Sequence, residues 1–529
     1  MTRVEKYVMW FSILLGVTWI TYRLLSNSGW ILDDEVSHYL FSKSVWENPD
    51  QLFNHWTRPG RNFIHLFIAP LGFTETRIFT FILALFATSI TYKVGKLLEI
   101  RALWSVPMLL LFQSWFPELS YPILTQTPFM LFWILGVWLG MTKRWHLAGF
   151  CFGYLSLIRH EGILITGIWG LWVTFSEGGF GRHCLQRLKG EISAANILPA
   201  LGRDALYGVS TVSAIFAYNL AAFIIQRSIP FMVYFESKPT TMYGSGTIYH
   251  YVPLYIGGVG LTVFILSLVG SFRIRKRLSQ WSLLLATFPV YFILHSLIYW
   301  KGAFASGGYY HFLMPMAPFV ALLAAEGVSQ IQENVRDAWR VPVLATISIF
   351  IVFQGLNMAH HQVVYQDWEA IMKGEAEPEY QLIAKPLEQG TYPKIITEAS
   401  RWASDQYPDR IILAKHIAHN FHQRTTMTKE RERNENLPLY QMELGTIYIW
   451  DGKYCEHENR IKHASFHESQ DWKRVKAWPK RFPGNSTAVT DQFDVIIFEK
   501  VSKLDTQDKV YAELGEADKY DQAYGAAKQ

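Results

Sequence analysis

The chain has little charge and very little cysteine. Only 18% of its 529 residues are charged, whereas about a quarter of an ordinary soluble protein is charged. No Cys-x-x-Cys metal pattern is present, and we expect isolated thiols at all three cysteines, Cys151, Cys184 and Cys455. Internal repeats and low-complexity tracts are absent as well. The sequence therefore argues against an ordinary soluble domain and gives no reason to expect a disulfide framework or a zinc module.

Apolar residues are abundant, and the positive charge is scattered. Half of the chain is hydrophobic and 16% of it is aromatic. The net charge of +5 is modest, and the basic residues fall in short clusters between apolar runs. That distribution indicates loops of a membrane protein and argues against nucleic-acid binding.

Long apolar runs predict a membrane domain over residues 1–357. The first run, Tyr7 to Leu25, has no small-residue cleavage site, so we interpret it as a signal anchor that stays in the protein. We expect about eleven spans, although several are shorter than the roughly 20 residues that a span needs. The further candidates are residues 76–96, 102–117, 127–142, 146–158, 162–175, 205–226, 251–270, 281–299, 311–327 and 341–357. The pair 146–158 and 162–175 can alternatively form a hairpin that enters the membrane and returns.

Basic loops orient the predicted bundle. If the spans alternate, four basic clusters lie on one side, which the positive-inside rule makes cytoplasmic. These clusters are Lys93, Lys96 and Arg101; Lys143 and Arg144; Arg182, Arg187, Lys189 and Arg203; and Arg273, Arg275, Lys276 and Arg277. The opposite side then carries residues 26–75, 118–126, 159–161, 227–250, 300–310 and everything after about 358.

The C-terminal part, residues 358–529, is polar and has no spanning run. Residues 446–450 and 494–500 are predicted strands, and residues 397–407 and 412–421 are predicted helices. We expect a small soluble α/β domain on the extracytoplasmic side, ending in a charged tail after about residue 503.

Three consecutive carboxylates, Asp33, Asp34 and Glu35, lie in the first outer loop. The apolar residues that follow these acids recur at helical spacing, which predicts a short amphipathic helix on the membrane surface. A structural explanation is that the acids lie at the N-terminal end of that helix, where the positive end of the helix dipole stabilises negative charge. The functional explanation is a partly desolvated base, because desolvation raises the pKa of a carboxylate. Three acids in a row exceed what a helix end requires.

Two arginines follow in the same loop. Arg58 and Arg61 flank Pro59-Gly60 just before an apolar stretch. Arginine suits bidentate phosphate contacts, although it can also extend toward lipid headgroups. An acid cluster and an arginine pair in one loop suit a reaction in which a base activates an acceptor and cations hold a phosphate leaving group.

The order of these motifs resembles the GT-C superfamily of membrane glycosyltransferases. The sequence is similar to lipid A aminoarabinose transferases and protein O-mannosyltransferases, which carry an acidic motif in the first outer loop and a basic Pro segment after it. Here those motifs are Asp34-Glu35, with Asp33 extra, and the segment TRPGRNFIHLFIAPLGF at 57–73. LIRHEG at 157–162 and GYYHFLMPMAP at 308–318 resemble further segments of these enzymes.

The resemblance implies a GT-C fold of about 11 transmembrane helices and an inverting transfer from a polyprenyl-phosphate sugar to a lipid, glycan or protein acceptor. It also implies a multi-pass protein of the bacterial inner membrane, whose active site is extracytoplasmic. Asp34 is then the general base, assisted by Glu35 and Asp33. The donor phosphate is assigned to Arg58, Arg61, Lys301 and His311. Candidate substrate contacts are His38, Glu118, Gln126, Arg159, Glu161, Tyr309 and Tyr310.

One departure from the family concerns a second acid in the next outer loop. Here LTQTPF at 124–129 has Gln126 at that position, and Glu118 is the alternative acid. We therefore predict no metal ligands and no required cofactor, and a divalent cation remains open. The rival hypotheses are a transporter or lipid flippase, and a non-catalytic membrane scaffold. A transporter would show repeats or interrupted helices at the midplane.

Overall fold

The computed structural model describes residues 2–27, 29, 33–54, 56–231, 245–304, 306–357, 391–422, 434–459, 461–479 and 493–502. The chain forms two compact units. The membrane unit comprises Met1–Asn27 and Leu52–Leu387, and the polar unit comprises Ser28–Gln51 and Glu388–Gln529. Residues 28–51 therefore group with the C-terminal unit, whereas the sequence placed the whole loop 26–75 in the membrane domain. The predicted tail after residue 503 lies outside the described residues.

The secondary structure is mainly helical. The α-helices are α1 (Arg3–Ser26), α2 (Asp33–Ser44), α3 (Pro59–His65), α4 (Phe73–Leu97), α5 (Val106–Leu111), α6 (Phe116–Leu119), α7 (Gln126–Met141), α8 (Trp145–Ile158), α9 (Gly162–Phe175), α10 (Phe180–Leu188), α11 (Ile197–Gln226), α12 (Tyr251–Val259), α13 (Leu261–Arg273), α14 (Leu278–Trp300), α15 (Ala317–Asn334), α16 (Asp337–Asn357), α17 (Thr391–Gln406), α18 (Ile417–His422) and α19 (His463–Glu468). The strands are β1 (Ile412–Ala414), β2 (Ile447–Asp451), β3 (Trp472–Pro479) and β4 (Phe493–Lys500).

The polytopic helical membrane fold is confirmed, and, as expected, some of its apolar helices are shorter than a full span. Within the described residues, six helices are long and apolar enough to cross a membrane, or seven if the bent pair α9 and α10 forms one span. Helices α7 and α8 are apolar but shorter. The predicted span 102–117 consists of short pieces, because Pro107 and Pro117 each stand in the first turn of a new helix, the helical position where proline is best accommodated.

Close backbone contact joins α13 to α15 in the membrane unit. A Cβ atom on Gly270 would lie 1.8 Å from the carbonyl oxygen of Leu323, and one on Gly327 would lie 2.1 Å from that of Leu266. Only glycine allows two membrane helices to approach this closely. The buried carboxylate of Glu326 accepts a hydrogen bond from Arg273 Nε at 2.9 Å, which fixes the same helix pair through an ion pair.

The polar unit is a small α/β domain, as predicted. Its four strands lie in the order β1-β2-β4-β3, with β1 parallel to β2 and the other pairs antiparallel. Side chains of β2 alternate between two buried clusters, as successive residues of a strand must. Ile447 and Ile449 face the cluster that contains α17, and Tyr448 and Trp450 face the other.

Two local predictions in the polar unit need correction. Residues 412–421 were a predicted helix, but residues 412–414 form β1, because Ile412 and its neighbours pair with β2 before α18 begins. The predicted surface helix after the acids is α2, and its apolar side chains Val36, Tyr39 and Leu40 are buried. Tyr39 contacts Phe421 of α18, with ring centroids 6.1 Å apart. Packing within the protein therefore covers the face that the sequence assigned to lipid. The cysteines at 151, 184 and 455 are free, as predicted.

Candidate functional site

The acid motif forms the first turn of α2 in the polar unit. Asp33 is partly exposed and Asp34 is exposed, whereas Glu35 is fully buried. The hydroxyl of Tyr454 donates a hydrogen bond to Asp33 Oδ2 at 2.8 Å. His38, one turn further along α2, is also buried. The three acids are thus structurally distinct, and Asp34 is the one that faces outward.

The arginine pair begins α3 in the membrane unit. Arg58 precedes the helix with a positive φ of 64°, and its Nη1 lies 3.1 Å from His160 Nε2. A Cβ atom on Gly60 would lie 2.9 Å from the backbone of Leu157, and Tyr154 donates a hydrogen bond to the Gly60 carbonyl oxygen at 2.8 Å. The Pro-Gly step therefore lets α3 pack directly on α8 and holds Arg58 beside His160.

Arg61 occupies a different environment from Arg58. Its guanidinium is fully buried and donates from Nη2 to the carbonyl oxygen of Thr57 at 3.1 Å. It also contacts the Asn62 side chain. The carbonyl oxygen of Arg61 lies 3.1 Å from His65 Nδ1, and His65 Nε2 lies 3.0 Å from Thr80 Oγ1. Arg61 is therefore part of the internal hydrogen-bond network that shapes α3, whereas Arg58 is only half-buried.

Burial and the neighbouring charge of Arg61 lower the pKa of His65 to about 3. In the unfolded chain the pKa of this histidine is about 6.5. As the pH falls, His65 is therefore protonated in the unfolded chain first, and the stability that is present above pH 6.5 is lost. We expect the protein to lose about 2 kcal/mol of stability between pH 7 and pH 5 from this residue. Unfolding measured at both pH values should show a smaller difference for His65→Gln, whereas His183→Gln on α10 should behave as wild type. Equal pH dependence in wild type and His65→Gln would contradict the prediction.

Arg159 and Glu161 form a two-pronged ion pair in the turn between α8 and α9. Arg159 Nη2 lies 2.6 Å from Glu161 Oε1, and Arg159 Nε lies 3.2 Å from Glu161 Oε2. Arg159 Nη1 also donates to Thr125 Oγ1 at 2.9 Å. Burial by itself would raise the pKa of Glu161, but the adjacent Arg159 guanidinium outweighs it and holds that pKa well below its usual range. The pair is therefore charged, and it links the turn to the segment before α7.

Aromatic side chains surround this ion pair, and the sequence did not assign them to the site. His295 Nε2 lies 3.4 Å from Glu161 Oε1. The Arg159 guanidinium lies 4.8 Å from the centre of the Phe312 ring. Tyr291 donates to the Phe312 carbonyl oxygen at 3.0 Å and packs edge-on against His295. Tyr291 and His295 lie one turn apart on α14, whereas Phe312 follows that helix and the Arg159–Glu161 turn lies far from it in the chain. No local sequence pattern could therefore have brought these rings to the ion pair.

Glu118, the alternative acid in the next outer loop, is already paired. Glu118 is buried and contacts the guanidinium of Arg23, which is also buried. Gln126 begins α7 as a buried residue, and its Oε1 lies 3.5 Å from Thr125 Oγ1. Gln126 is therefore adjacent to a partner of Arg159, whereas Glu118 stabilises the contact between α1 and α6.

The remaining candidates lie between α14 and α15. Lys301 Nζ lies 3.9 Å from the Trp300 ring centre. The rings of Tyr309 and His311 stack with centroids 5.4 Å apart, and Tyr309 is exposed whereas Tyr310 and His311 are buried. Among the described residues, no group of three or more His, Cys, Asp or Glu side chains is placed to hold a metal ion.

Solved structures resemble the chain over nearly its whole length. ArnT from Cupriavidus metallidurans in the apo state is 10% identical, with 94% of this chain and 98% of that chain covered and a TM-score of 0.57. ArnT bound to undecaprenyl phosphate gives the same identity and coverage and a TM-score of 0.54. This is the GT-C fold. The mycobacterial arabinofuranosyltransferase AftD is 10% identical, with 96% of this chain and 40% of that chain covered and a TM-score of 0.45.

The GT-C fold confirms the architecture that the motif order implied, a membrane bundle followed by a C-terminal domain. No protein-family profile matches the chain, and no curated protein matches it. At 10% identity, the GT-C fold is retained while nearly all side chains differ. Roles for individual residues must therefore come from the chemistry of this chain.

Proposed function

We propose that the protein is a glycosyltransferase that moves a sugar from a polyprenyl-phosphate donor to an acceptor hydroxyl, with inversion at the anomeric carbon. The observation that carries this proposal is the GT-C fold shared over 94% of the chain with a protein that binds undecaprenyl phosphate. The exposed Asp34 at the start of α2 and the half-buried Arg58 at the start of α3 supply a base and a cation of the required kinds.

In the proposed reaction, the acceptor oxygen attacks the anomeric carbon while its proton passes to the carboxylate of Asp34. The bond between the anomeric carbon and the phosphate oxygen breaks, and the electron pair leaves with the polyprenyl phosphate. A phosphate leaves as a stable anion, so no general acid is needed. A guanidinium stabilises the charge that develops on the leaving group. One displacement of this kind inverts the configuration.

The environments of the candidate residues refine their proposed roles. Arg58 is a stronger candidate than Arg61 for the donor phosphate, because the Arg61 guanidinium is buried and engaged by Thr57 and Asn62. Lys301 and His311 remain candidates for the same phosphate. For the substrates we retain His38, Gln126, Arg159, Glu161, Tyr309 and Tyr310 as candidates. Glu118 is a weaker candidate because Arg23 already pairs with it.

We further propose that the reaction takes place on the extracytoplasmic side of a bacterial inner membrane. The support is the distribution of Lys and Arg, which is concentrated around four loops between spans: at the C-terminal ends of α4 and α13 and just beyond them, directly after α7, and from α10 to the start of α11. With those loops cytoplasmic, the acid motif and the C-terminal domain lie outside. Cysteine accessibility labelling of intact cells, at positions in the polar unit and in the loop after α13, tests this orientation directly.

Arg58→Ala is expected to raise the KM for the lipid-linked donor by about ten- to hundredfold, because a charge-assisted hydrogen bond contributes about 1.5–3 kcal/mol. The measurement is initial rate against donor concentration. Arg187→Ala, which removes an arginine from α10, should leave this KM unchanged. A normal donor KM in Arg58→Ala would remove Arg58 from the phosphate site.

The direct test of the function is incubation of the purified protein with a panel of polyprenyl-phosphate sugars and candidate acceptors, followed by mass spectrometry of the products. A glycosylated acceptor and free polyprenyl phosphate in equal amounts are expected. Movement of intact donor between the leaflets of a vesicle, without transfer to any acceptor, would instead support the flippase hypothesis. Inversion is read from the anomeric coupling constant of the product.

A further inference from the structure

We propose that Tyr454 is a positioning residue: it hydrogen-bonds Asp33 and so holds the first turn of α2, which carries Asp34. The catalytic consequence rests on the proposed function, in which Asp34 is the base. The C-terminal domain then contributes directly to catalysis by orienting the acid motif, because both residues belong to the polar unit. They are 421 positions apart in the chain.

The contact between the two residues is short and charged. Tyr454 Oη lies 2.8 Å from Asp33 Oδ2. Hydrogen bonds to a carboxylate are stronger than neutral ones. Because Asp33 and Asp34 are neighbours in the first turn of one helix, a restraint on Asp33 also restricts the direction of Asp34. The hydroxyl of Tyr454 donates to Asp33, the neighbour of the proposed base, so the role proposed for it is to position the acid motif.

Tyr454 is itself held in place from several directions. Its amide N–H donates to Asp451 Oδ1 at 2.7 Å, and its carbonyl oxygen accepts from Asn459 Nδ2 at 2.7 Å. Its ring packs against the buried His416, with centroids 4.6 Å apart. Asp451 is fully buried at the end of β2. The phenol is therefore supported by the sheet and has little freedom to turn away from Asp33.

The backbone at Tyr454 is unusual. Gly452–Glu458 forms a π-helical turn directly after β2. Such wide turns are rare and frequently occur at functional sites. A second contact, the packing of Tyr39 on Phe421, fixes α2 further along. Tyr454 restrains its N-terminal end and Phe421 its middle, so the orientation of the whole helix is determined by the C-terminal domain.

The first experiment measures amide hydrogen exchange in the full-length protein. Tyr454→Phe keeps the ring and removes only the hydroxyl, and we expect about tenfold faster exchange in the first turns of α2. Tyr440→Phe is the matched control, because that hydroxyl belongs to the same unit and accepts a hydrogen bond from Gln441. Exchange in α2 that equals wild type in Tyr454→Phe would overturn the proposal.

The second experiment separates positioning from a general loss of structure. Tyr454→Phe should lower kcat by about ten- to hundredfold, as misplacement of a catalytic group does, while the donor KM stays within about twofold of wild type. The double variant with Asp33→Ala should lose no more activity than Asp33→Ala alone, because both changes break the same contact. Additive losses, or a raised KM with an unchanged kcat, would contradict a positioning role.

The two experiments also distinguish this inference from the proposed function. If wild type transfers no sugar from any donor, the proposed function fails, and the exchange measurement still decides whether Tyr454 holds α2. If wild type is active and Tyr454→Phe exchanges and reacts as wild type does, only the role of Tyr454 fails.

Discussion

Asp34→Asn is expected to lower kcat for sugar transfer by about 10²- to 10⁴-fold, the usual contribution of a general base. The amide has nearly the same shape as the carboxylate but cannot accept the acceptor's proton. Asp34 is exposed, and substitutions at such positions change stability by only about 0.5 kcal/mol. The loss should therefore appear in kcat while unfolding and the donor KM remain close to wild type.

The same segment of the chain provides controls for Asp34. Glu47→Gln removes an exposed acid shortly after α2 and should leave transfer unchanged. Glu35→Gln changes a fully buried acid and should affect stability as well as activity. Near-normal turnover of a folded Asp34→Asn protein would exclude Asp34 as the base, and full activity after loss of all three acids would favour the scaffold hypothesis.

Glu161→Gln is expected to lower the free energy of unfolding by about 3 kcal/mol, because it leaves the nearly buried Arg159 charge without its partner. Arg159 Nη2 and Glu161 Oε1 are only 2.6 Å apart, and the side chains are 10% and 13% exposed. Glu177→Gln, at an exposed position after α9, should be neutral. Thermal or denaturant unfolding in detergent measures the difference. An unfolding midpoint equal to wild type would mean that water or lipid compensates the charge.

Removing both members of the pair distinguishes a structural role from a functional one. Replacing a buried ion pair as a whole is often neutral for stability, so Arg159→Met with Glu161→Gln should recover most of the loss seen in Glu161→Gln. If the pair also binds substrate, as we propose, the double variant will be stable and still poorly active. Recovery of both stability and transfer would assign the pair a structural role alone.

The class of the protein was predictable from sequence because hydropathy and periodicity are local properties. Apolar runs predicted the helices of the membrane unit, and the β-branched and aromatic residues at 446–450 predicted β2. The helix after the acid motif was also predicted, because its apolar residues recur at helical spacing within one short stretch of the chain. The prediction was wrong where a distant partner overrode the local pattern, as at Ile412–Ala414, which pairs with β2 instead of continuing a helix.

The predicted span at residues 102–117 is divided into short helices in the structure. Hydropathy alone does not register that Pro107 and Pro117 start new short helices, so residues 102–117 appeared as one continuous span. Such a segment can lie within the membrane only where neighbouring groups form hydrogen bonds with its free backbone groups. Tertiary packing determines which groups those are.

The sequence by itself determined that the protein is a helical membrane protein with a polar α/β domain, and that carboxylates and arginines lie in one loop. Only the tertiary structure distinguished members of each motif. It exposed Asp34 but buried Glu35, left Arg58 half-buried but enclosed Arg61, and paired Glu118 with Arg23. The physical reason is that burial and partner choice depend on contacts between residues far apart in the chain, such as Tyr454 with Asp33, and a sequence pattern carries only the chemistry of neighbours.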